Sequence, residues 1–491
     1  MAIRAKLSVP REGQTVWPWH SAKWTAISAS TLKRGDRRME AASYLSGGYS
    51  IRLSFAAQPI KPPVMSKLAT AWQPSRLKGI QLDKEFGTPF LAATQVFDLR
   101  PSPRKFLSLD RTAGSSERFI ENGTIVITCS GSVGRATLIY AAHEGALISH
   151  DLLRITPTNP LYWGWLYAYF RSTPALEMMT SAQYGHMIKH LEPSHIHDLP
   201  VPVPRDDILA EFQQEAQKIL DLRNKAWRLQ YVAEKTFSDA IGVPDDASHA
   251  EVAFSVLASA LIGKRRRLEA TFYSPEATNI LSQFHSASLQ IDKLGDITDG
   301  IWWMTRFKRI FGDEGDRYLS ADELFSINPN TTKKVIIEQT DDPDAFRVKE
   351  GWIVMACSGQ VYGLNGSVSL MTKRHEDAFF SHDLIRIIPR VDNVRPGYLF
   401  TALGHPELGR PLVIRNAYGT SIPHLDPEDV RNIPIVRLGK EKENQIADIM
   451  EHAIELRVEA DATENALAER AERLLALYLS GDTSSFNVMI S

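Results

Sequence analysis

The sequence predicts an α+β fold in which two duplicated α/β domains are separated by two long helices that form an antiparallel coiled coil with pseudo-twofold symmetry. Three observations predict this fold. An internal repeat covers most of the 491 residues, β-branched runs alternate with helical segments in each copy, and a long polar stretch with heptad spacing follows each copy. At about 100–200 residues per domain, the length also requires more than one compact unit.

The repeat consists of five pairs of similar segments that occur in the same order in both halves of the chain. The pairs are residues 27–44 with 256–273, the run from Gly87 with the run from Gly315, GTIVITCSGSVG from Gly123 with GWIVMACSGQVYG from Gly351, SHDLLRITP from Ser149 with SHDLIRIIP from Ser381, and Tyr184-Gly185…His190-Leu191 with Tyr418-Gly419…His424-Leu425. Because the order is kept, we expect both halves to fold alike, as domains 1–205 and 246–438.

Each repeat is followed by a segment that is predicted to be one long helix, within residues 206–245 and 439–491. Residues 206–241 and 440–479 carry apolar or small residues at 3-4 spacing. The two stripes are Ile219, Leu222, Ala226, Leu229, Ala233, Thr236 and Ala240, and Ile446, Ile449, Ala453, Leu456, Ala460, Thr463, Leu467, Leu474 and Leu477. Two matched heptad stripes favour pairing of the helices. The alternative is that each helix packs only on its own domain.

Strand and helix signals alternate inside each half. The strongest strand signals are TIVIT at 124–128 and WIVMA at 352–356, and both runs lead into Cys-Ser-Gly. Helical signals occur at 161–172 and 396–405. Mixed signals of this kind, with glycine-marked turns after the strands, are typical of an α/β domain with a curved sheet and flanking helices.

Composition limits the class of protein. The chain has 56 Lys and Arg against 58 Asp and Glu, a net charge of −2, which excludes binding of nucleic acid through overall positive charge. Its two cysteines, Cys129 and Cys357, are too few for a disulfide framework and fit a reducing compartment. No apolar run approaches the length of a membrane helix. We therefore expect a cytoplasmic protein with no membrane partner.

Common catalytic motifs are missing from the sequence. We find no phosphate-binding Gly-rich loop, no dinucleotide fingerprint, no His-Glu-x-x-His and no Gly-x-Ser-x-Gly, so neither a cofactor nor a metal is expected. One enzymatic alternative is a duplicated cysteine-dependent hydrolase, with Cys129, His150 and Asp151 in one half and Cys357, His382 and Asp383 in the other. Adjacent His and Asp on an extended segment point to opposite faces, which favours a structural role for these residues.

Local basic and polar segments are the candidates for contact with nucleic acid. Residues 301–311 interleave aromatic and basic side chains, residues 100–111 form a basic loop, and the two Tyr-Gly…His-Leu segments share a frame but differ inside it. The candidate residues are Arg104, Lys105, His186, Lys189, Trp302, Arg306, Lys308, Arg309, Arg415, Asn416 and Thr420. The alternative for residues 301–311 is an amphipathic strand whose basic side chains only reach the solvent.

The repeated motifs and the two helices together resemble the specificity subunit of type I restriction-modification enzymes. The resemblance implies two target-recognition domains that each read one half of a bipartite site in double-stranded DNA. It also implies that the helices dock two copies of an adenine-N6 methyltransferase subunit and, in the full complex, motor-nuclease subunits. The chain itself would be non-catalytic, because S-adenosylmethionine and ATP belong to those partners.

Two features leave other assemblies open. The first 26 residues have no partner in the repeat, and related anti-phage modification systems use similar subunits with other partners. A DNA-independent scaffold in a defence complex, organised by the two helices, is the remaining alternative.

Overall fold

The structure is a computed structural model, and it describes residues 27, 40–76, 78–112, 114–185, 189–242, 253–262, 267–329, 333–336 and 342–487. The chain divides into two compact units. Unit 1 comprises the residues up to Val96, Ser102–Asp221 and the residues from Ala462 onward, and unit 2 comprises Phe97–Pro101 and Leu222–Asp461. The first 26 residues, His186 and most of the repeat segment 27–44 lie outside the described residues.

Unit 1 mixes strands and helices. Its strands are β1 (Ala69–Trp72), β2 (Gln81–Leu82), β3 (Thr88–Leu91), β4 (Lys105–Leu107), β5 (Ile125–Thr128), β6 (Ala136–Leu138), β7 (Leu147–Ile148) and β8 (Leu152–Pro157). Its helices are α1 (Ala41–Leu45), α2 (Gly47–Ala56), α3 (Ala93–Val96), α4 (Trp163–Arg171), α5 (Thr173–Ala182), α6 (Pro193–His197) and the first part of α7 (Asp206–Ile241). The strands form two sheets, in the orders β1-β8-β5-β6 and β2-β4-β3-β7.

Unit 2 is also mixed. Its strands are β9 (Gln290–Lys293), β10 (Thr298–Trp303), β11 (Phe311–Leu319), β12 (Lys334–Val335), β13 (Ile353–Ala356), β14 (Val368–Leu370), β15 (Phe379–Phe380), β16 (Leu384–Pro389) and β17 (Pro434–Arg437). Its helices are α8 (Pro275–Ser286), α9 (Ala321–Leu324), α10 (Pro396–Gly404), α11 (Arg410–Ile414), α12 (Pro427–Arg431) and the first part of α13 (Lys440–Leu479). The sheet orders are β10-β16-β13-β14, β12-β11-β15 and β17-β9.

A four-stranded antiparallel sheet lies at the centre of each unit. In unit 1, β5 pairs with β6 and β8, and β8 pairs with β1. In unit 2, β13 pairs with β14 and β16, and β16 pairs with β10. All residues of β5 and β13 are buried, because both faces of the sheet are covered, and this explains the continuous apolar runs at these strands.

One helix in each unit is fixed to the segment that leads into a long helix. The indole N–H of Trp165, on α4, donates to the carbonyl of Pro202 at 2.9 Å. The hydroxyl of Tyr398, on α10, donates to the carbonyl of Val436 at 2.5 Å. Buried hydroxyl and indole groups need such acceptors, so each bond fixes the orientation of its helix against the chain before α7 or α13.

The buried stripe of α7 differs from the predicted one. Leu222 and Leu229 are only half-buried and Ala240 is exposed, whereas Arg223 and Gln230 are buried. The two polar residues occupy stripe positions because they have partners on α13. Within unit 2, Arg223 pairs with Asp461 at 3.1 Å and the Gln230 amide oxygen accepts from Arg457. Ile219, Ala226 and Ala233 of the predicted stripe are buried, so a pattern that counts only apolar residues finds part of the buried face and misses its polar members.

The end of α13 also departs from the predicted stripe. Leu474 is half-buried and Leu477 is exposed, whereas Ala471, Leu475 and Tyr478 are buried. The Tyr478 ring packs against Phe55 and Phe486, and its hydroxyl donates to the carbonyl of Ile60 at 2.6 Å. These contacts, all within unit 1, turn a different face of the last helical turns inward.

None of the helices in the described ranges combines the length and the apolar character needed to cross a membrane.

Candidate nucleic-acid interface

The Tyr-Gly…His-Leu motif closes one loop in each unit. In unit 1, Tyr184 and His190 exchange backbone hydrogen bonds of 3.0 and 2.8 Å, and in unit 2, Tyr418 and His424 exchange bonds of 2.9 and 2.8 Å. The glycine after each tyrosine has a φ of 101° (Gly185) or 96°, a backbone conformation that favours glycine. We name the enclosed segments, residues 185–189 and 419–423, the closed loops.

The Cys-Ser-Gly turn holds the closed loop of unit 2. The backbone N–H of Leu425 donates to the carbonyl of Cys357 at 2.9 Å, and that of Gly359 donates to the carbonyl of Pro423 at 3.1 Å. The Ser358 hydroxyl lies 2.8 Å from Nδ1 of His424. Two of the repeated motifs, Cys-Ser-Gly and His-Leu, are therefore in direct contact in this unit.

Unit 1 contains the same backbone contacts. The N–H of Leu191 donates to the carbonyl of Cys129 at 2.9 Å, and the N–H of Gly131 donates to the carbonyl of Lys189 at 2.9 Å. The Lys189 side chain is exposed. The ladder of bonds fixes both ends of residues 185–189 and leaves Lys189 able to reach a partner.

Two amide side chains of unit 2, which sequence analysis missed, donate hydrogen bonds to backbone carbonyls of its closed loop. Asn365 is fully buried, and its Nδ2 donates to the carbonyls of Gly359 at 3.0 Å and Pro423 at 2.9 Å. Gln360 donates to the carbonyl of Ser421 at 2.8 Å. Gln360 lies within the repeated segment that begins at Gly351, and Asn365 lies just beyond it, but neither residue is matched by an amide residue in the other repeat.

The three candidates around the second closed loop have different environments. Thr420 is exposed. Asn416 is buried, and its Nδ2 donates to the carbonyl of Leu412 at 2.9 Å on α11. Arg415 is half-buried, with its guanidinium carbon 4.6 Å from the ring centre of Phe272, and burial lowers its pKa. Thr420 is open to contact with a base, whereas the amide group of Asn416 is engaged inside the unit, where it caps a helix.

The basic segment between β10 and β11, residues 304–310, is fixed by its central aromatic residue. The centre of the Phe307 ring lies 4.8 Å from the ring centre of Phe346 and 5.2 Å from that of Phe379. Arg306 and Lys308, on either side of Phe307, are exposed. Because the ring is held in the unit, the aromatic residue serves as an anchor and the flanking cations face solvent.

Two further candidates at this segment are partly engaged by the protein. Arg309 is exposed and donates to the hydroxyl of Tyr318 at 3.2 Å. Trp302 is half-buried, with its ring 5.4 Å from that of Trp352 in an edge-to-face arrangement. Arg309 can still contact a phosphate through its other nitrogens, whereas Trp302 has only part of its ring open to stacking.

The Ser-His-Asp turn of unit 2 lies beside this basic segment. The Phe307 ring is 6.4 Å from the His382 ring. Burial lowers the pKa of His382, the carboxylate of Asp383 opposes this, and the charges of Arg309 and Arg306 lower it further. The imidazole is therefore held mainly neutral next to a group of cations, and the repeated turn supports the segment that carries them.

The candidates of unit 1 lie on one strand and one loop. Lys105 begins β4, opposite Phe90 of β3, and is exposed, as is the preceding Arg104. Lys189 lies at the end of the closed loop, and His186 lies outside the described residues. Arg104 and Lys105 therefore present a pair of cations at the surface of the sheet β2-β4-β3-β7.

The cysteine residues are poorly suited to nucleophilic attack. Cys129 and Cys357 are 5% and 2% exposed. Burial, helped by the charges of Asp151 and Asp383, raises the pKa of each thiol to about 12. A thiol with so high a pKa stays protonated at neutral pH, and the thiolate is the form that attacks.

One part of the sequence argument about the Ser-His-Asp segments is wrong. His150 and Asp151 lie in a turn and not on an extended strand, and Nε2 of His150 is 3.6 Å from the Asp151 carboxylate. The corresponding distance between His382 and Asp383 is 3.4 Å. A turn can bring neighbouring side chains to one side, which the strand geometry used in the prediction does not allow.

The thiols are expected to react slowly with a disulfide reagent. A rise in pKa from 9.0 to about 12 lowers the thiolate fraction at pH 8 by roughly 1,000-fold, so native thiols should be labelled by 5,5′-dithiobis(2-nitrobenzoate) at least about 100-fold more slowly than in guanidinium chloride. Rapid labelling of either cysteine in the native chain would contradict this environment and revive the hydrolase alternative.

Across the described residues, no group of three or more His, Cys, Asp and Glu side chains is placed to hold a metal ion.

Comparison with known proteins gives only distant similarity. No family model matches the sequence, and no curated protein matches it. Among solved structures, the S subunit of a type I restriction-modification system from M. genitalium is 14% identical, with 85% of this chain and 96% of that chain covered and a TM-score of 0.31.

Two further solved structures are similar to the chain at the same level. An HsdS subunit from Thermoanaerobacter tengcongensis is 14% identical, with 84% and 98% of the two chains covered and a TM-score of 0.27. A chain from a structure on complex assembly and conformational transition of the type I R-M system is 15% identical, with 84% and 99% covered and a TM-score of 0.25. Similarity at these TM-scores does not assign a function.

Proposed function

We propose that the chain is a non-catalytic DNA sequence-recognition subunit of a type I-like restriction-modification complex or a related anti-phage modification complex. The observation that carries the proposal is the pair of closed loops. Both are held by the same contacts to a Cys-Ser-Gly turn, yet residues 185–189 read GHMIK and residues 419–423 read GTSIP. A constant frame with different contents suits two readers of two different base sequences.

The two repeats, residues 1–205 and 246–438, would be the two target-recognition domains, and each would read one half of a bipartite site in double-stranded DNA. The equal strand orders of the two central sheets support this division. Base contacts would come from the closed loops, including Lys189 and Thr420, and His186 would belong to the same set.

Phosphate contacts would come from exposed cations that lie on fixed backbone. In unit 2 these are Arg306, Lys308 and Arg309, beside the anchored Phe307 ring. In unit 1 they are Arg104 and Lys105. Because the net charge of the chain is only −2, these local groups and the charges of partner subunits together would hold the DNA backbone.

The long helices would form an antiparallel coiled coil. Contacts within the units support this arrangement. They are Glu211 with Arg470, Arg223 with Asp461, and Gln230 with Arg457. Residues later in α7 meet residues earlier in α13, as in two antiparallel helices. We infer that this pair docks two copies of an adenine-N6 methyltransferase subunit and, in a complete type I enzyme, motor-nuclease subunits. The cofactors of methylation and translocation would be bound by those partners.

The DNA contacts are tested by the salt dependence of binding. In a complex with the methyltransferase subunit, Arg306→Ala or Lys308→Ala is expected to weaken binding to duplex DNA equally for all sequences and to reduce the slope of log K against log salt by about 0.9 per lost phosphate contact. The matched control is Lys293→Ala, since Lys293 is exposed on β9, outside residues 304–310 and outside both long helices. If neither Arg306→Ala nor Lys308→Ala changes the slope, residues 304–310 do not belong to the interface.

A further inference from the structure

Unit 2 contains a pocket of about 780 Å³ at the start of α13. Its apolar part is formed by Leu370 at the end of β14, the neighbouring Met371, Pro396 at the start of α10, and Ile454 on α13. The volume lies within the range of sites that hold a ligand or an anchoring side chain. The proposed recognition of DNA and docking of the methyltransferase do not by themselves account for this pocket.

The rim of the pocket is acidic. Five carboxylates line it against the two cations Arg395 and Lys440, and Arg395 is itself held by Asp448 and Glu451. Of the five lining carboxylates, Glu451 is paired with Arg395 and Glu443 with Arg437, which leaves Glu350, Asp392 and Glu455. The excess of negative charge around an apolar floor favours an occupant that carries both an apolar group and positive charge.

In unit 1, an indole lies at the corresponding place. Trp163 is the first residue of α4, as Pro396 is of α10, and the indole N–H of Trp163 donates to the carbonyl of Gly123 at 2.7 Å. A methyl group built on Gly123 would be 3.8 Å from Cζ2 of Trp163, and one built on Gly351 would be 3.8 Å from Cγ of Pro396. The two glycines therefore mark the same position against the two helices.

The opposite wall corresponds as well. Leu220 of α7 and Ile454 of α13 are each the fifteenth residue of their helix, and the methyl group built on Gly123 would be 3.2 Å from Leu220. The two units therefore share the glycine and the apolar residue of the long helix at this place. The chief difference is the first residue of the shorter helix, which is tryptophan in unit 1 and the smaller proline in unit 2. Trp163 shows which kind of side chain fits at this place.

We propose that the pocket of unit 2 binds one large aromatic side chain of a partner protein, on a segment that carries Lys or Arg beside the aromatic residue. The aromatic ring would lie against Leu370, Pro396 and Ile454, at the place where unit 1 has the indole of Trp163, which donates to Gly123. The flanking cations would meet the acidic rim. A deeply buried aromatic anchor with charges at its edge is a common centre of protein interfaces.

The test uses the full-length chain and a short peptide, acetyl-Lys-Trp-Lys-amide, with 5-fluorotryptophan as a ¹⁹F NMR probe. We expect saturable binding with a dissociation constant of about 1 mM or tighter. The charge-reversed peptide acetyl-Glu-Trp-Glu-amide should bind at least about tenfold more weakly, because the rim repels it. Absence of saturable binding by the Lys-Trp-Lys peptide, or equal binding of both peptides, would overturn the proposal.

The variant Pro396→Trp locates the site. It copies the residue that unit 1 has at this helix position, so it should fold, fill the pocket and weaken binding of the Lys-Trp-Lys peptide at least about tenfold. If that variant does not fold, Ile454→Trp fills the pocket from the opposite wall. The matched control, Trp163→Pro in unit 1, should leave binding in unit 2 intact. Undiminished binding to a folded, filled variant would overturn the assignment.

Discussion

Substituting Glu464→Ala is expected to lower the free energy of unfolding by about 3–5 kcal/mol. Glu464, on α13, is 1% exposed within unit 1. It accepts a hydrogen bond from the Tyr167 hydroxyl, and its carboxylate is 3.2 Å from Nη2 of Arg171, which is also buried. Removing the carboxylate leaves the buried guanidinium of Arg171 without its counter-charge, and this costs far more than the pair itself contributes.

The measurement is urea unfolding of the full chain, followed by tryptophan fluorescence and circular dichroism. The matched control on the same helix is Glu469→Ala, because Glu469 and Arg473 are both exposed and lie 3.9 Å apart. An exposed pair of this kind contributes at most about 0.5 kcal/mol. Equal effects of the two substitutions would contradict the burial and pairing described for Glu464.

Exchanging residues 87–200 for those of a relative with another DNA target is expected to change one half of the recognised site and leave the other half unchanged. The exchanged segment contains the closed loop 185–189 and the cations Arg104 and Lys105. Specific sites are typically bound about 10³-fold or more tightly than non-specific ones. Adenine methylation should therefore move almost completely to the new hybrid site.

The exchange should keep the native residues 97–101. These residues belong to unit 2, where the N–H of Leu99 donates to the carbonyl of Phe325 at 2.8 Å and the N–H of Ile327 donates to the carbonyl of Phe97 at 2.8 Å. Replacing them would disturb both units at once and blur the result. If the exchange with residues 97–101 kept native alters both half-sites, the model of one reader per repeat is wrong.

The mixed α/β fold and the long helix Asp206–Ile241 could be predicted from the sequence, and both are confirmed. The runs TIVIT and WIVMA lie at β5 and β13. These predictions succeed because they depend on periodicity, on β-branched residues and on a repeat, all of which are local or visible by comparison of the two halves.

The failures share a physical reason, namely that a distant segment decides where a side chain lies. Arg223 is buried because Asp461 is available on another helix. Gln230 is buried because its amide oxygen accepts from Arg457 on α13, and Tyr478 is turned inward by the Phe55 ring and the carbonyl of Ile60. Composition and spacing identify these residues as polar or aromatic, but their partners are far away in sequence.

The central claim is that the chain directs modification to one bipartite DNA sequence. The most direct measurement is to co-purify the chain with a type I methyltransferase subunit from the same organism and to map adenine methylation on a plasmid library. We predict methylation confined to a single motif with two half-sites separated by a spacer of fixed length. A stable complex whose methylation shows no sequence preference, or no adenine methylation at all, would contradict the claim and favour a scaffold that acts independently of DNA sequence.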